Sequence, residues 1–260
     1  MEHSLRYIVQ FAAAVCAVCS VLVAVTDVSL RDRRERNKVL DVQRQVLALA
    51  GIAERDELTD DETEATYDER IESQIIVTAT GEYAAGVDAS GWDQQAMMAD
   101  PATSSPAPDN LARVRRVPTE SVVYRVKGDN GGVDAVILPI QGMGLWGRLF
   151  GYLAVATDAD TIKGITFYQH KETPGLGAEV DNPRWKALWP GRKIHDAEGR
   201  VAIRVKKGVA GPVDQDPNQV DGLSGATITS RGVTNTLAFW LGDAAFGPYL
   251  ARLRSNGGGH

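Results

Sequence analysis

Apolar positions follow three patterns along the chain. From Tyr7 to Thr26 they are continuous: YIVQFAAAVCAVCSVLVAVT carries no charge. At about 1.5 Å of rise per residue, a helix over this run reaches roughly 30 Å, the depth of a bilayer core. The alternative is a cleaved signal peptide with Ala24 and Thr26 near its cleavage point, but its apolar stretch is ordinarily only about 7–15 residues. From Asp32 to Ile52 the spacing changes to three and four residues, at Val39, Val42, Val46 and Leu49. This predicts an amphipathic helix ending at Gly51, which continues the apolar helix or docks on the domain that follows. From Ser121 onward short β-rich runs take over: SVVYRV, GVDAVILPI, GYLAVAT, GITFYQH, and VAIRVKKG from Val201 to Gly208. Turn residues separate them, and they predict a mostly antiparallel sheet flanked by helices, an α+β fold. Helical spacing returns at Val233, Leu237, Trp240 and Leu241.

Two stretches lack either period. Glu54 to Glu72 holds ten acids against two arginines, a solvated face or mobile segment with no ligand site. ADPATSSPAPDN, Ala99 to Asn110, has three prolines among small polar residues and reads as a surface loop. The predicted organisation is an N-terminal transmembrane anchor over 1–30 and an amphipathic helix with an acidic connecting segment over 31–74. The main domain spans 75–255, and a disordered tail follows over 256–260.

Composition excludes more than it identifies. A net charge of -6 without a concentrated basic face argues against nucleic acid. The two cysteines, Cys16 and Cys19, lie inside the apolar run; they cannot build a disulfide framework or a four-ligand zinc site, and at i and i+3 they read as small packing residues. No GxGxxG follows a strand, so no dinucleotide fold is expected. The apolar run has no acidic residue to form an ion path. Only Arg6 is basic before that run, whereas Arg31, Arg33, Arg34, Arg36 and Lys38 follow it. That bias alone would place the bulk of the chain in the cytoplasm.

Three glycine-rich loops are the candidate chemistry. DGLSGATITSRG, Asp221 to Gly232, places four hydroxyls, Ser224, Thr227, Thr229 and Ser230, at the start of the last helical run. Unpaired N–H groups and the helix dipole favour a phosphate there, while a Ser or Thr acting only as a helix cap is the plainer alternative. HKETPGLGAEVDNPRW, from His170, brings backbone close to whatever lies above it, or forms an ordinary turn. QGMGLWGRLFGYLAV, from Gln141, sets glycines around Leu145 and Trp146, or is simply a hairpin that exposes an aromatic. Together the loops suggest a flat ligand.

SGAT, with Asp221 three positions before Ser224, resembles the flavinylation motif of the FMN-binding domain. An N-terminal span, the segment RNKVLDVQRQVLALAGI, and the GLWG, HKETPGLGAE and DGLSGATITSRGV loops extend the likeness over nearly the whole chain. It resembles the NqrC family, one of the subunit families of the sodium-translocating NADH:quinone oxidoreductase, except over Ala99–Asn110. The resemblance implies one covalent FMN per chain, esterified through its phosphate to Thr227. It implies that Asp221, Ser224, Gly225 and Ala226 match the part of the motif read by a separate flavin transferase. Glu172, Thr173, Leu176 and Gly177 then match the loop against the isoalloxazine ring, and Leu145 and Trp146 the second loop near the flavin. It assigns no proton-transfer role to His170 or Lys171, no catalytic residue and no metal. It also implies a bacterial inner-membrane protein with its flavin domain periplasmic, against the charge bias, relaying electrons within the sodium-pumping NADH:ubiquinone reductase complex without binding NADH. The rivals are the G-type FMN subunit of an ion-pumping ferredoxin:NAD oxidoreductase, a membrane-tethered module holding a phosphorylated ligand noncovalently, and a purely structural assembly subunit.

Overall fold

The computed structural model describes residues 4–129 and 131–257. The chain divides into two compact units, 1–42 and 43–260. Helix α1, Leu5–Leu49, runs through the apolar pattern and the amphipathic one without a break. Its segment Leu5–Arg31 is long and apolar enough to cross a membrane, and its side chains are all exposed. The predicted stop at Gly51 is a Schellman motif: Gly51 has φ 71, Gly51 N–H donates to Ala48 O and Ile52 N–H to Leu47 O. Val39 is exposed; in the second unit α1 buries Gln43, Gln45, Val46 and Leu47.

The acidic stretch is not mobile chain. Asp60–Arg70 forms α2, opened by a capping box in which Thr59 and Glu62 each bond the other's backbone N–H. Strand β1, Ile71–Val77, follows directly, so residue 75, where the main domain was expected to begin, lies in mid-strand. After β2 (Glu82–Tyr83) and α3 (Gln94–Ala99), the proline-rich stretch departs from the expected loop: β3, Ser104–Pro106, pairs antiparallel with β4, Arg116–Pro118. Buried Ser104 makes this order, donating to Asp100 O at 2.6 Å and accepting from Arg116 Nε at 2.7 Å.

Strands β5 (Glu120–Lys127), β6 (Val133–Met143), β7 (Arg148–Ala156) and β8 (Ile162–Gln169) form an antiparallel meander. With β1 beside β5, the sheet order is β2-β1-β5-β6-β7-β8, which bears out the α+β prediction. A short 3-10 turn, Gly177–Asp181, and α4, Pro183–Lys186, come next. VAIRVKKG does not join this sheet. Only β9, Arg204–Val205, is strand, paired parallel with β10, Gln219–Val220, because Val205 N–H is taken by the Thr234 hydroxyl at 3.0 Å. Helix α5, Thr227–Trp240, covers one face of the sheet, where Val233, Leu237 and Trp240 are fully buried beside Val136, Leu138 and Leu153. Val46, Leu47 and Tyr67 are buried on the other side, with Leu49 against Gly164. Helix α6, Gly247–Gly257, closes the chain; of the predicted tail, 258–260 lie outside the described residues.

The β7–β8 turn is held by Asp158. Partial burial raises its pKa, but the Thr161 hydroxyl, the N–H groups of Thr161 and Asp160, and Lys193 together bring it down to about 2. A depressed carboxylate pKa contributes stability at pH above about 4 that is lost as pH falls toward 2. Asp158→Asn is therefore expected to melt below the wild-type protein at pH 7, with the difference closing by pH 2. Thermal unfolding across that range checks this; a constant gap would show that the charge is not responsible.

Candidate functional site

The site begins with a close approach of backbones. Helix α5 rests close on the end of β6 because a glycine stands at each contact: a Cβ on Gly142 would collide with the Thr236 side chain, and one on Gly232 with Met143 O. Trp240 Nε1 fixes the contact by donating to Gln141 O at 2.6 Å. The first turn of α5 is thereby placed at the tip of the β6–β7 hairpin, where Gly144 N–H donates to Gly147 O at 2.8 Å. Leu145 and Trp146 lie in that tip, 44% and 65% exposed. This is the hairpin that exposes an aromatic.

The third segment leaves β8 through His170 and Lys171. Thr173 O accepts from Leu176 N–H and Ala178 N–H, both at 3.1 Å, around Pro174 and Gly175, whose φ is 73. Proline followed by a residue at positive φ is the type II arrangement. Thr173 and Leu176 are exposed at its surface, and Gly177 is buried.

Glu172 joins the three segments. Its side chain is buried, with Oε1 accepting from Trp146 N–H at 2.9 Å and Oε2 from the Thr229 hydroxyl. Gly144 and Gly177 leave it room, since a Cβ at either would collide with the carboxylate. Glu172 thus faces into the protein, behind the surface that Leu145, Trp146 and Leu176 present. His170 Nδ1 accepts from Glu172 N–H at 3.3 Å, and Lys171 packs beside Gly147.

The four hydroxyls at the start of α5 divide in two. Thr229 and Ser230 are buried, the first on Glu172 and the second accepting from Leu223 N–H at 3.0 Å. Ser224 and Thr227 are exposed, as are Gly225 and Ile228. The N-cap is Ala226, which is buried and offers no side-chain bond, so the plain capping alternative does not hold. The first-turn N–H groups are left to another acceptor beside the Thr227 hydroxyl. Asp221 is occupied elsewhere: its Oδ1 accepts from Ala210 N–H at 2.8 Å and its carbonyl from Trp185 Nε1 at 2.9 Å.

The structure therefore brings Leu145, Trp146, Glu172, Thr173, Leu176, Gly177 and the Ser224–Thr227 segment to one end of the sheet, with Asp221 bound to the neighbouring loop. Sequence reasoning missed Ile228, whose one signal is an apolar residue in an otherwise polar first turn. It also missed the contact of Thr229 with Glu172, which no local pattern announces. The arrangement suits a phosphate ester at the helix start and a flat apolar group over the exposed side chains. Among the described residues, no cluster of three or more His, Cys, Asp or Glu is placed to hold a metal.

The FMN-binding domain family matches residues 144–242, which include the Leu145–Trp146 tip and both of the other segments. The chain is 44% identical to the NqrC subunit of the Na(+)-translocating NADH-quinone reductase of Pseudomonas aeruginosa, covering 94% of each chain, and 43% identical to that of Vibrio parahaemolyticus, covering 92% of each. Among solved structures, NqrC of Shewanella oneidensis matches with a TM-score of 0.77 at 32% identity, over 86% of this chain and 99% of that one. The corresponding protein from Parabacteroides distasonis matches with a TM-score of 0.64 at 30% identity, over 85% and 96%.

Proposed function

The chain belongs to the NqrC family of the Na(+)-translocating NADH-quinone reductase, a flavoprotein subunit of that complex, and on this premise we propose that it carries FMN covalently on Thr227 and relays electrons from a membrane anchor. The G-type and noncovalent alternatives are not favoured by the relatives named above. The observation that carries the reading is the exposed Thr227 hydroxyl at a helix start that no side chain caps, at the same end of the sheet as exposed Leu145, Trp146 and Leu176. The residues present fit FMN: first-turn N–H groups of α5 would receive its phosphate, and the apolar side chains would support its ring. Bound FMN supplies the reversible redox chemistry, while the protein sets its position.

A threonine hydroxyl is a poor nucleophile without an adjacent base. Among the described residues none hydrogen-bonds the Thr227 hydroxyl, which supports attachment by a separate flavin transferase. The proposed orientation is single-pass with the flavin domain periplasmic. The basic cluster after the span opposes it, but domains of this size translocate largely regardless of flanking charge.

One experiment tests both parts. The full chain is co-expressed with a flavin transferase, and spheroplasts are run on a denaturing gel under ultraviolet light before and after external protease. A fluorescent band at the mass of the chain that protease removes is the expected result. A dark band, with the transferase active on a control substrate, would sink covalent attachment. A fluorescent band that resists protease would sink the periplasmic orientation.

A further inference from the structure

A second concave site lies on the stems of the same hairpin, apart from its Leu145–Trp146 tip. It is a cleft of about 420 Å³ bordered by α3, the segment before β4, and the paired ends of β6 and β7. Met98, Val114 and Phe150 give it apolar walls, and Gln95 and Gln141 contribute amides. Four arginines line it, Arg113, Arg115, Arg116 and Arg148, and no acidic residue does. In a chain with 34 acidic against 28 basic side chains, that grouping runs opposite to the overall charge.

The arginines are not there to make ion pairs. Among the described residues Arg113, Arg115 and Arg148 have no side-chain hydrogen bond or salt bridge, and Arg116 is held by neutral acceptors, the Ser104 hydroxyl at 2.7 Å and Pro101 O at 3.4 Å. The backbone is nevertheless fixed around them. Arg113 sits at φ 56, a conformation that disfavours any residue with a Cβ. Asn110 maintains it by bonding both backbone groups of Val114, at 3.0 and 2.9 Å. Met143 N–H to Ala112 O at 3.0 Å and Asn235 Nδ2 to Leu111 O at 3.3 Å tie the same loop to β6 and α5. Arg113, Arg115 and Arg148 are exposed around the cleft, so like charges gather at one mouth without a counter-charge among its lining, and an anion that joins them adds stability.

We propose that this cleft binds a small soluble polyanion carrying phosphate or carboxylate groups. Guanidinium forks match both oxyanions bidentately, and the volume lies within the range of small-molecule sites. The inference does not depend on the flavin assignment: the lining takes Gln141, Gly142, Met143, Arg148 and Phe150 from the stems of the β6–β7 hairpin but does not include Leu145, Trp146, Leu176 or Thr227.

The test is thermal unfolding of the full chain in detergent, titrated separately with inorganic pyrophosphate and with citrate against sodium chloride of equal ionic strength. At least one probe is expected to raise the melting temperature saturably, by roughly 3–5 °C. The double variant Arg113→Gln/Arg148→Gln is expected to lose that shift, yet to melt in chloride no lower than the wild-type protein, since it relieves repulsion. The probe that acts distinguishes a phosphate ligand from a carboxylate one. No shift with either, or an equal shift in the variant, would overturn the site; so would a variant that melts well below wild type in chloride, which would make the arginines structural. Silence with both probes would leave an acidic partner surface as the occupant, against the proposal.

Discussion

Thr227→Ala is expected to abolish covalent flavin completely while leaving the domain folded. The side chain is exposed, makes no hydrogen bond among the described residues and occupies the first position of α5. Alanine is well tolerated there, so stability should change by no more than about 0.5 kcal/mol. The readout is in-gel fluorescence after co-expression with a flavin transferase, paired with a melting curve. Thr227→Ser, which keeps a hydroxyl at the same place, is expected to retain part of the signal. A fluorescent Thr227→Ala band would move the attachment point, and Ser224, the other exposed hydroxyl of the cluster, would be the residue to change next.

Glu172→Leu should have the larger effect on the fold of the site. It leaves Trp146 N–H and the Thr229 hydroxyl without an acceptor in a buried place, and each such group costs about 1–3 kcal/mol. The sum, roughly 2–6 kcal/mol, corresponds to a fall in melting temperature on the order of 5–20 °C for a domain of this size. Glu172→Gln can still accept from Trp146 and donate its amide to the Thr229 oxygen, so it should lose only about 1 kcal/mol. Covalent flavin yield is expected to follow the same order, because the hairpin tip and the helix start are held in register through this one side chain. If the leucine variant melts within a degree of wild type, Glu172 does not hold the segments together.

The meander was legible because SVVYRV, GYLAVAT and their neighbours are dense in β-branched and aromatic residues, and α5 because Val233, Leu237 and Trp240 keep a helical period. Strand β1 was not, since Glu72, Ser73 and Gln74 interrupt its apolar pattern. Its pairing is supported from a distant part of the chain, where Arg125 stands opposite Glu72 at 2.8 Å. VAIRVKKG misled for the converse reason: a strong local propensity met a side chain, Thr234, that took its backbone donor. Within the site, the motifs named Thr227 and Glu172 but not the directions they face. Whether a hydroxyl in SGATITS is buried or exposed depends on how α5 is rotated against β6, and that rotation is set by Gly142 and Gly232, which lie 90 residues apart in the sequence.

That crossing also has a mechanical consequence. With glycines letting Thr236 and Met143 O close directly onto the opposite backbone, and with the Trp240 indole bonded across it, the first turn of α5 and the tip of the hairpin form one splint. A displacement of Thr227 is then transmitted directly to Trp146, and the two behave as opposite jaws of a clamp whose hinge has been welded shut.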